Sequence, residues 1–223
     1  MFVYQYSEIN PEDNSKSLWR KGSATIDGVQ FIGGGQLGST NAPIVVKNTE
    51  LATSIIDSSF MNCKAFCSQV DNAAEVTFKQ NVFYHAWVFG VEVEAQTTLH
   101  TFTFEDNLII GVTRRPTVAA NHELVACFAT YKEINPSDAV SIQNNYCYGS
   151  VHGFALPHVG CDQLASHKMK GNTVGSSSIG FILNAISGSC QGFSHATAFQ
   201  CGIGQIMAPP GKKSLNMSNF LMA

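Results

Sequence analysis

The sequence predicts an all-β chain, a right-handed parallel β-helix of the single-stranded, pectin-lyase-like type, and three observations carry that expectation. One unit recurs: an apolar run, a polar residue followed by Asn, a second apolar run and a Gly. Residues 77–112 hold it twice, as Gln80-Asn81 with Gly90 and as Asp106-Asn107 with Gly111. Asn81 and Asn107 are 26 positions apart, and Asn145 and Asn172, in two later copies, are 27 apart. The apolar runs are strand-length, rich in Val, Ile, Phe and Thr, and bounded by Asn, Asp, Ser and Gly, which is strand and turn chemistry. No window shows a helix-length apolar stripe with caps, and the Leu-x-x-Leu-x-Leu frame of leucine-rich repeats is absent.

Each segment follows from that unit. Residues 1–24 read as a lead-in with one strand within positions 2–6, and the β-helix repeats occupy 25–223. The first coil segment is 23–32, SATIDGVQFI, followed by a Gly-rich loop over 33–41. That loop has no following Lys-Ser/Thr and no helix start, so it reads as a turn rather than a phosphate cradle. The stack resumes at 43–48 and completes a turn by 66. Residues 112–121 form an excursion with Arg114-Arg115, a strand returns at 124–131, and 139–156 and 169–183 are two further coils. Residues 184–213 are Gly- and Ser-rich, and a last strand begins near Asn219. Asn81, Asn107, Asn145 and Asn172 are the expected structural corners: a tight corner needs a residue that tolerates left-handed backbone, and an Asn amide can bond its equivalents one coil above and below. Coils of this length predict about eight or nine turns and a rod of about 40 Å.

Composition narrows the function classes. Hydrophobic residues at 44% suffice for a continuous core, but charged residues are only 13%, so Ser, Thr, Asn and Gln must cover the outside, as in extracellular β-solenoids. A net charge of −3 leaves no electrostatic footprint for nucleic acid or anionic lipid. No run approaches the roughly 18 apolar residues that span a bilayer, and the N-terminus lacks the apolar core of a secretory signal. A solenoid exposes unpaired backbone at a bare end, so the expectation is a piece of a longer chain. Seven cysteines cannot all pair within the chain; Cys63 and Cys67 read as buried thiols, and Cys161, Cys190 and Cys201 are candidates for a disulfide. Asn216 opens a glycosylation sequon.

The residues also carry a resemblance. The segment Gly35-Gln36-Leu37-Gly38 with Pro43-Ile44, the coils at Asn81-Val82-Phe83-Tyr84 and Glu105-Asp106-Asn107-Leu108-Ile109-Ile110-Gly111, and the later Leu156-Pro157, Gly160-Cys161 and Gly171-Asn172-Thr173-Val174-Gly175 resemble the β-helix region of fibrocystin and fibrocystin-L, the polycystic kidney and hepatic disease protein family. The transmembrane and cell-migration-inducing hyaluronidases share that pattern. The resemblance covers roughly residues 22–185. It implies one module of a large ectodomain on the extracellular face of a plasma or ciliary membrane, with the rest of a larger polypeptide as its first partner. Where the hyaluronidase branch carries a His-containing motif, this chain has Val45-Val46-Lys47-Asn48, so the non-catalytic fibrocystin-like branch is the better match.

The residues themselves leave two functions open. The first is a non-catalytic scaffold that binds a protein or glycan, with Tyr84 and Trp87 as the candidate glycan platform. The second is a carbohydrate-active hydrolase or lyase using Glu92, Glu94, Glu105 and Asp106, since such enzymes need two carboxyls about 5 to 10 Å apart. Outward Glu on a strand is ordinarily a wet face, which favours the scaffold. The histidines show no metal-ligand spacing, so neither metal nor cofactor is expected.

Overall fold

In the computed structural model of the chain, the residues described are 1–4, 6–10, 13–35, 42–94, 101–114, 124–130, 139–156, 168–184, 193–208 and 221–222. They form a parallel β-helix of three sheets. Sheet 1 stacks Ala24–Asp27, Thr53–Ile56, Glu75–Lys79, Thr101–Glu105, Ala139–Gln143, Lys168–Lys170 and Phe193–Ser194. Sheet 2 stacks Gln30–Ile32, Ser59–Cys63, Val82–Trp87, Leu108–Thr113, Tyr146–Tyr148, Thr173–Gly175, Thr197–Phe199 and Leu221–Met222. Sheet 3 stacks Phe2–Tyr4, Ile44–Lys47, Ser68–Asp71, Phe89–Glu94, Ala126–Thr130, His152–Leu156, Ile179–Asn184 and Ile203–Ala208. Each coil passes from sheet 1 to 2 to 3, and among the described residues seven complete three-strand coils succeed one another, with Phe2–Tyr4 before them and Leu221–Met222 beginning a further one. Coil length varies more than the repeat suggested: Asn107 and its equivalent Asn145 are 38 residues apart.

Alternation fills the interior. Phe102 and Phe104 point inward between Thr101, Thr103 and Glu105, and Val91 and Val93 between their outward neighbours. Phe31, Phe60 and Phe83 stack at centroid distances of 4.9 Å from one coil to the next, and Phe104 meets Phe128 of sheet 3 at 4.8 Å. Each such buried ring removes apolar surface worth roughly 1.5–3 kcal/mol from water. A second cluster lies against the outer side of sheet 3, where Val45, Phe66, Val88, Phe89, Ala129 and Ala155 are buried and Trp87 and Ile182 pack on them. Val88 there is β-branched yet has φ 75°, a backbone state that L side chains of its kind seldom adopt.

Two segments are more regular than their sequence suggested. The lead-in contains an antiparallel hairpin, Tyr6–Asn10 with Asp13–Arg20, and before it Phe2–Tyr4 joins sheet 3 by pairing with Ile44–Lys47. Residues 193–208, read as Gly- and Ser-rich, supply a full coil; its corners are built on His195 and Gln200 at φ 55° and 52°, residues that carry no turn signal. Among the described residues no helix is long and apolar enough to cross a membrane.

The cysteines differ from expectation. Cys63 and Cys67 are buried but bridged, with Cα atoms 5.2 Å apart, as four-residue spacing around a corner permits. Cys127 of sheet 3 is bridged to Cys147 of sheet 2, linking one coil to the next through the interior. Among the described residues Cys201 carries no disulfide, and Cys161, Cys190 and Asn216 fall outside the described residues.

Candidate functional site

The corner between sheets 1 and 2 is two residues in each central coil. The first takes left-handed backbone: Asp57, Gln80, Asp106, Asn144 and Gly171 have φ from 47° to 73°. The second is Ser58, Asn81, Asn107, Asn145 or Asn172, and each of these is buried. This corrects one expectation, since the asparagines are not the left-handed residues. Their role is enclosure of the amide. Asn81 Nδ2 donates to Asn107 Oδ1, Asn107 Nδ2 to Asn145 Oδ1 and Asn145 Nδ2 to Asn172 Oδ1, each at 3.0 Å. Each Nδ2 also donates to a strand carbonyl one coil back, on Ile55, Phe78 and Phe104, and Asn172 does the same to Ile142. The Oδ1 atoms take a further bond from the backbone N–H of the preceding coil's residue, Ser58, Asn81, Asn107 and Asn145. A side chain with one acceptor and two donors at fixed geometry satisfies four partners here, which no other small residue does.

The candidate catalytic carboxylates fall on two different sheets. Glu92 and Glu94 lie on sheet 3; Glu105 ends a sheet 1 strand, with Asp106 at the exposed corner beyond it. Thr101–Glu105 runs away from sheet 3, so the width of sheet 1, roughly 13 Å for five residues, lies between the two pairs. Glu105 accepts bonds from Ser141 Oγ and from Gln143 Nε2, the latter at 3.1 Å, both one coil on. Glu92 is not a wet face: it is buried, and Gln69 Nε2 donates to it at 2.9 Å. Beside it Asp71 is paired with Lys47 at 2.7 Å, and that hydrogen bond, followed by the Asp71 charge, holds the Lys47 ammonium above its ordinary range. Asp71, Glu92 and Glu94 therefore form one acidic patch on the outer face of sheet 3. Among the described residues no group of three or more His, Cys, Asp or Glu is arranged to hold a metal ion.

His152 opens a sheet 3 strand one coil beyond Ala126. Burial, partly offset by a hydrogen bond to the Val125 backbone, lowers its pKa, and Arg114 lowers it further. Its Nδ1 is buried with no partner among the described residues. Sequence reasoning set His152 aside for lack of metal spacing and had no signal for its burial. Arg115, His122 and Glu123 of the excursion lie outside the described residues.

The two members of the glycan platform separate. Tyr84 stands exposed on the outer face of sheet 2, whereas Trp87, past the left-handed His85 (φ 57°), packs on the cluster outside sheet 3. Around Tyr84 the register assembles a surface the sequence did not reveal. One outward column runs Ile32, Met61, Tyr84, Ile110, Tyr148, Gly175, Phe199. A second, two residues upstream, holds Gln30, Ser59, Val82, Leu108, Tyr146, Thr173 and Thr197. Seven strands with two outward positions each make fourteen, and none is charged.

Compared with protein-family models, with curated proteins and with solved structures, the chain gives no significant match.

Proposed function

We propose that this chain is a non-catalytic recognition scaffold, a β-helix module of a large fibrocystin-like protein of the extracellular or ciliary surface that binds a protein or glycan along its side. The observation that carries this reading is the fate of the carboxylates: they are divided between two sheets, and Glu92 and Glu105 are tied by neighbouring Gln and Ser side chains into coil-to-coil rungs. Two buried disulfides support the location, because such bridges persist in oxidising compartments. The fibrocystin-like motif order supports the module assignment.

The second reading is a carbohydrate-active enzyme, and the acidic patch of Asp71, Glu92 and Glu94 favours it. Glu92 and Glu94 are two residues apart on one face, roughly 6.6 Å between Cα atoms, so both carboxylates stand on the same side of the sheet, as a hydrolase pair must. Incubation with neutral and acidic polysaccharides separates the two. The scaffold predicts binding with no new reducing ends and no unsaturated product; release abolished by Glu92→Gln would overturn it.

A further inference from the structure

Resting on the scaffold reading, the geometry points to a ligand: we infer that the outer face of sheet 2 is a docking strip for a single extended chain of a neutral polysaccharide, lying along the solenoid axis. Large apolar side chains are left in water on this face. Ile32 is 67% exposed, Tyr84 and Tyr146 45% each and Val82 39%. Sheet 3 has its own apolar outer cluster, but that one is buried, so the sheet 2 face is distinct in staying open.

Area and charge decide the occupant. Two outward positions on each of seven strands give a strip about 10 Å wide and about 29 Å long, or roughly 300 Å². A stable protein interface takes about 800 Å² from each partner, so neither a second copy nor a globular protein is served by this strip alone. A narrow, linear ligand is. The absence of charge from all fourteen positions removes the means of holding a polyuronate, a sulfated glycan or a nucleic acid. What remains is aromatic rings beside hydroxyls and an amide, the chemistry that binds the apolar faces and hydroxyl rims of sugar rings.

The rings are also set for it. Tyr84 and Tyr148 share a column two coils apart, roughly 9.6 Å, close to the length of two equatorially linked hexopyranose rings. Tyr148 and Phe199 meet edge to face at 5.8 Å across Gly175, and a Cβ on that glycine would collide with both rings. Glycine at this one position therefore lets both rings lean over it and meet, closing the column between them.

The test is affinity electrophoresis of the full chain in gels containing a neutral β-1,4-linked glucan, with polygalacturonate as the charged control. The neutral glucan should retard the protein and polygalacturonate should not. Tyr84→Ala with Tyr146→Ala should weaken retardation about tenfold, with an unchanged circular-dichroism spectrum and melting curve, while Tyr146→Phe keeps it. Gly175→Val should weaken it in the same direction. Unchanged retardation of the double variant, retardation by polygalacturonate only, no retardation by neutral glucan, or capture of a protein that the double variant no longer captures would each overturn the strip. Reducing ends released from the glucan would instead sink the scaffold reading, so the two failures are distinguishable.

Discussion

Two corners of the same coil meet the same backbone demand and answer it differently. Between sheets 2 and 3 a left-handed residue recurs just as it does between sheets 1 and 2, as Gly33, Asn62, His85, Gly111, Gly149, Ser176 and Gln200. The residue that follows it here is Gly34, Cys63, Ala86, Val112, Ser150, Ser177 or Cys201, with no common chemistry. Ser150 and Ser177 contact each other at 3.2 Å, yet both hydroxyls mostly serve carbonyls of their own coil, His152 and Gly175. The difference teaches that a left-handed turn does not by itself require asparagine. Asparagine appears where the corner residue is buried and its amide joins a backbone N–H and a strand carbonyl of the coil behind to the amide of the coil ahead.

That contrast can be broken by substitution. Asn107→Ala should have the largest effect, because four side-chain bonds vanish and the buried backbone N–H of Asn81 loses its acceptor. The expected loss is about 4 kcal/mol in urea denaturation. Replacing Cys127 and Cys147 together by Ala should cost about 3 kcal/mol, since their bridge closes a 20-residue separation between the two sheets at the looser corner. Ser150→Ala should cost only about 1 kcal/mol by the same measurement, because one hydroxyl is lost from a local arrangement. Equal losses for Asn107→Ala and Ser150→Ala would erase the distinction between the corners.

Smaller effects sharpen it. Gln80→Gly and Asp106→Gly, at exposed left-handed positions, should stabilise by about 0.5 kcal/mol each, read as a raised melting temperature; destabilisation would mean that these side chains hold the corner. His152 gives a pH arm. Its folded pKa lies below the ordinary 6.5, so as pH falls through 6.5 the unfolded chain binds the proton first and the fold weakens. Lys47 is shifted the other way: its raised pKa adds stability that is present below its ordinary 10.5 and is lost as pH rises through the folded value. His152→Gln should flatten the acid-side decline in midpoint between pH 7 and 5, and an unaltered decline would assign it to other groups.

The parts of this fold that were legible in the sequence are those where one residue type has one use. Asparagine repeated at coil spacing beside Val-, Ile- and Phe-rich runs pointed to a stacked β-helix. Thr-Phe-Thr-Phe alternation marked Phe102 and Phe104 as interior. The coil at 193–208 was illegible because Ala196 stands in the amide column's place and His195 and Gln200 make its turns. The Cys127–Cys147 pairing depends on which strands of sheets 2 and 3 face each other across the core, which spacing does not encode. The charge-free strip was hidden for a related reason: its members are scattered from Gln30 to Phe199, and only the register of seven strands brings them into two columns. Trp87 was misplaced beside Tyr84 because nothing in His85 announces a left-handed residue between them.

The most direct test of the amide column is native-state hydrogen exchange followed residue by residue. The backbone N–H groups of Asn81, Asn107 and Asn145, each donating to a carboxamide oxygen of the next coil, should exchange among the slowest in the chain and slow down together. Exchange at these three amides as fast as at the exposed turn residue Gln200 would show that the column does not hold the coils together.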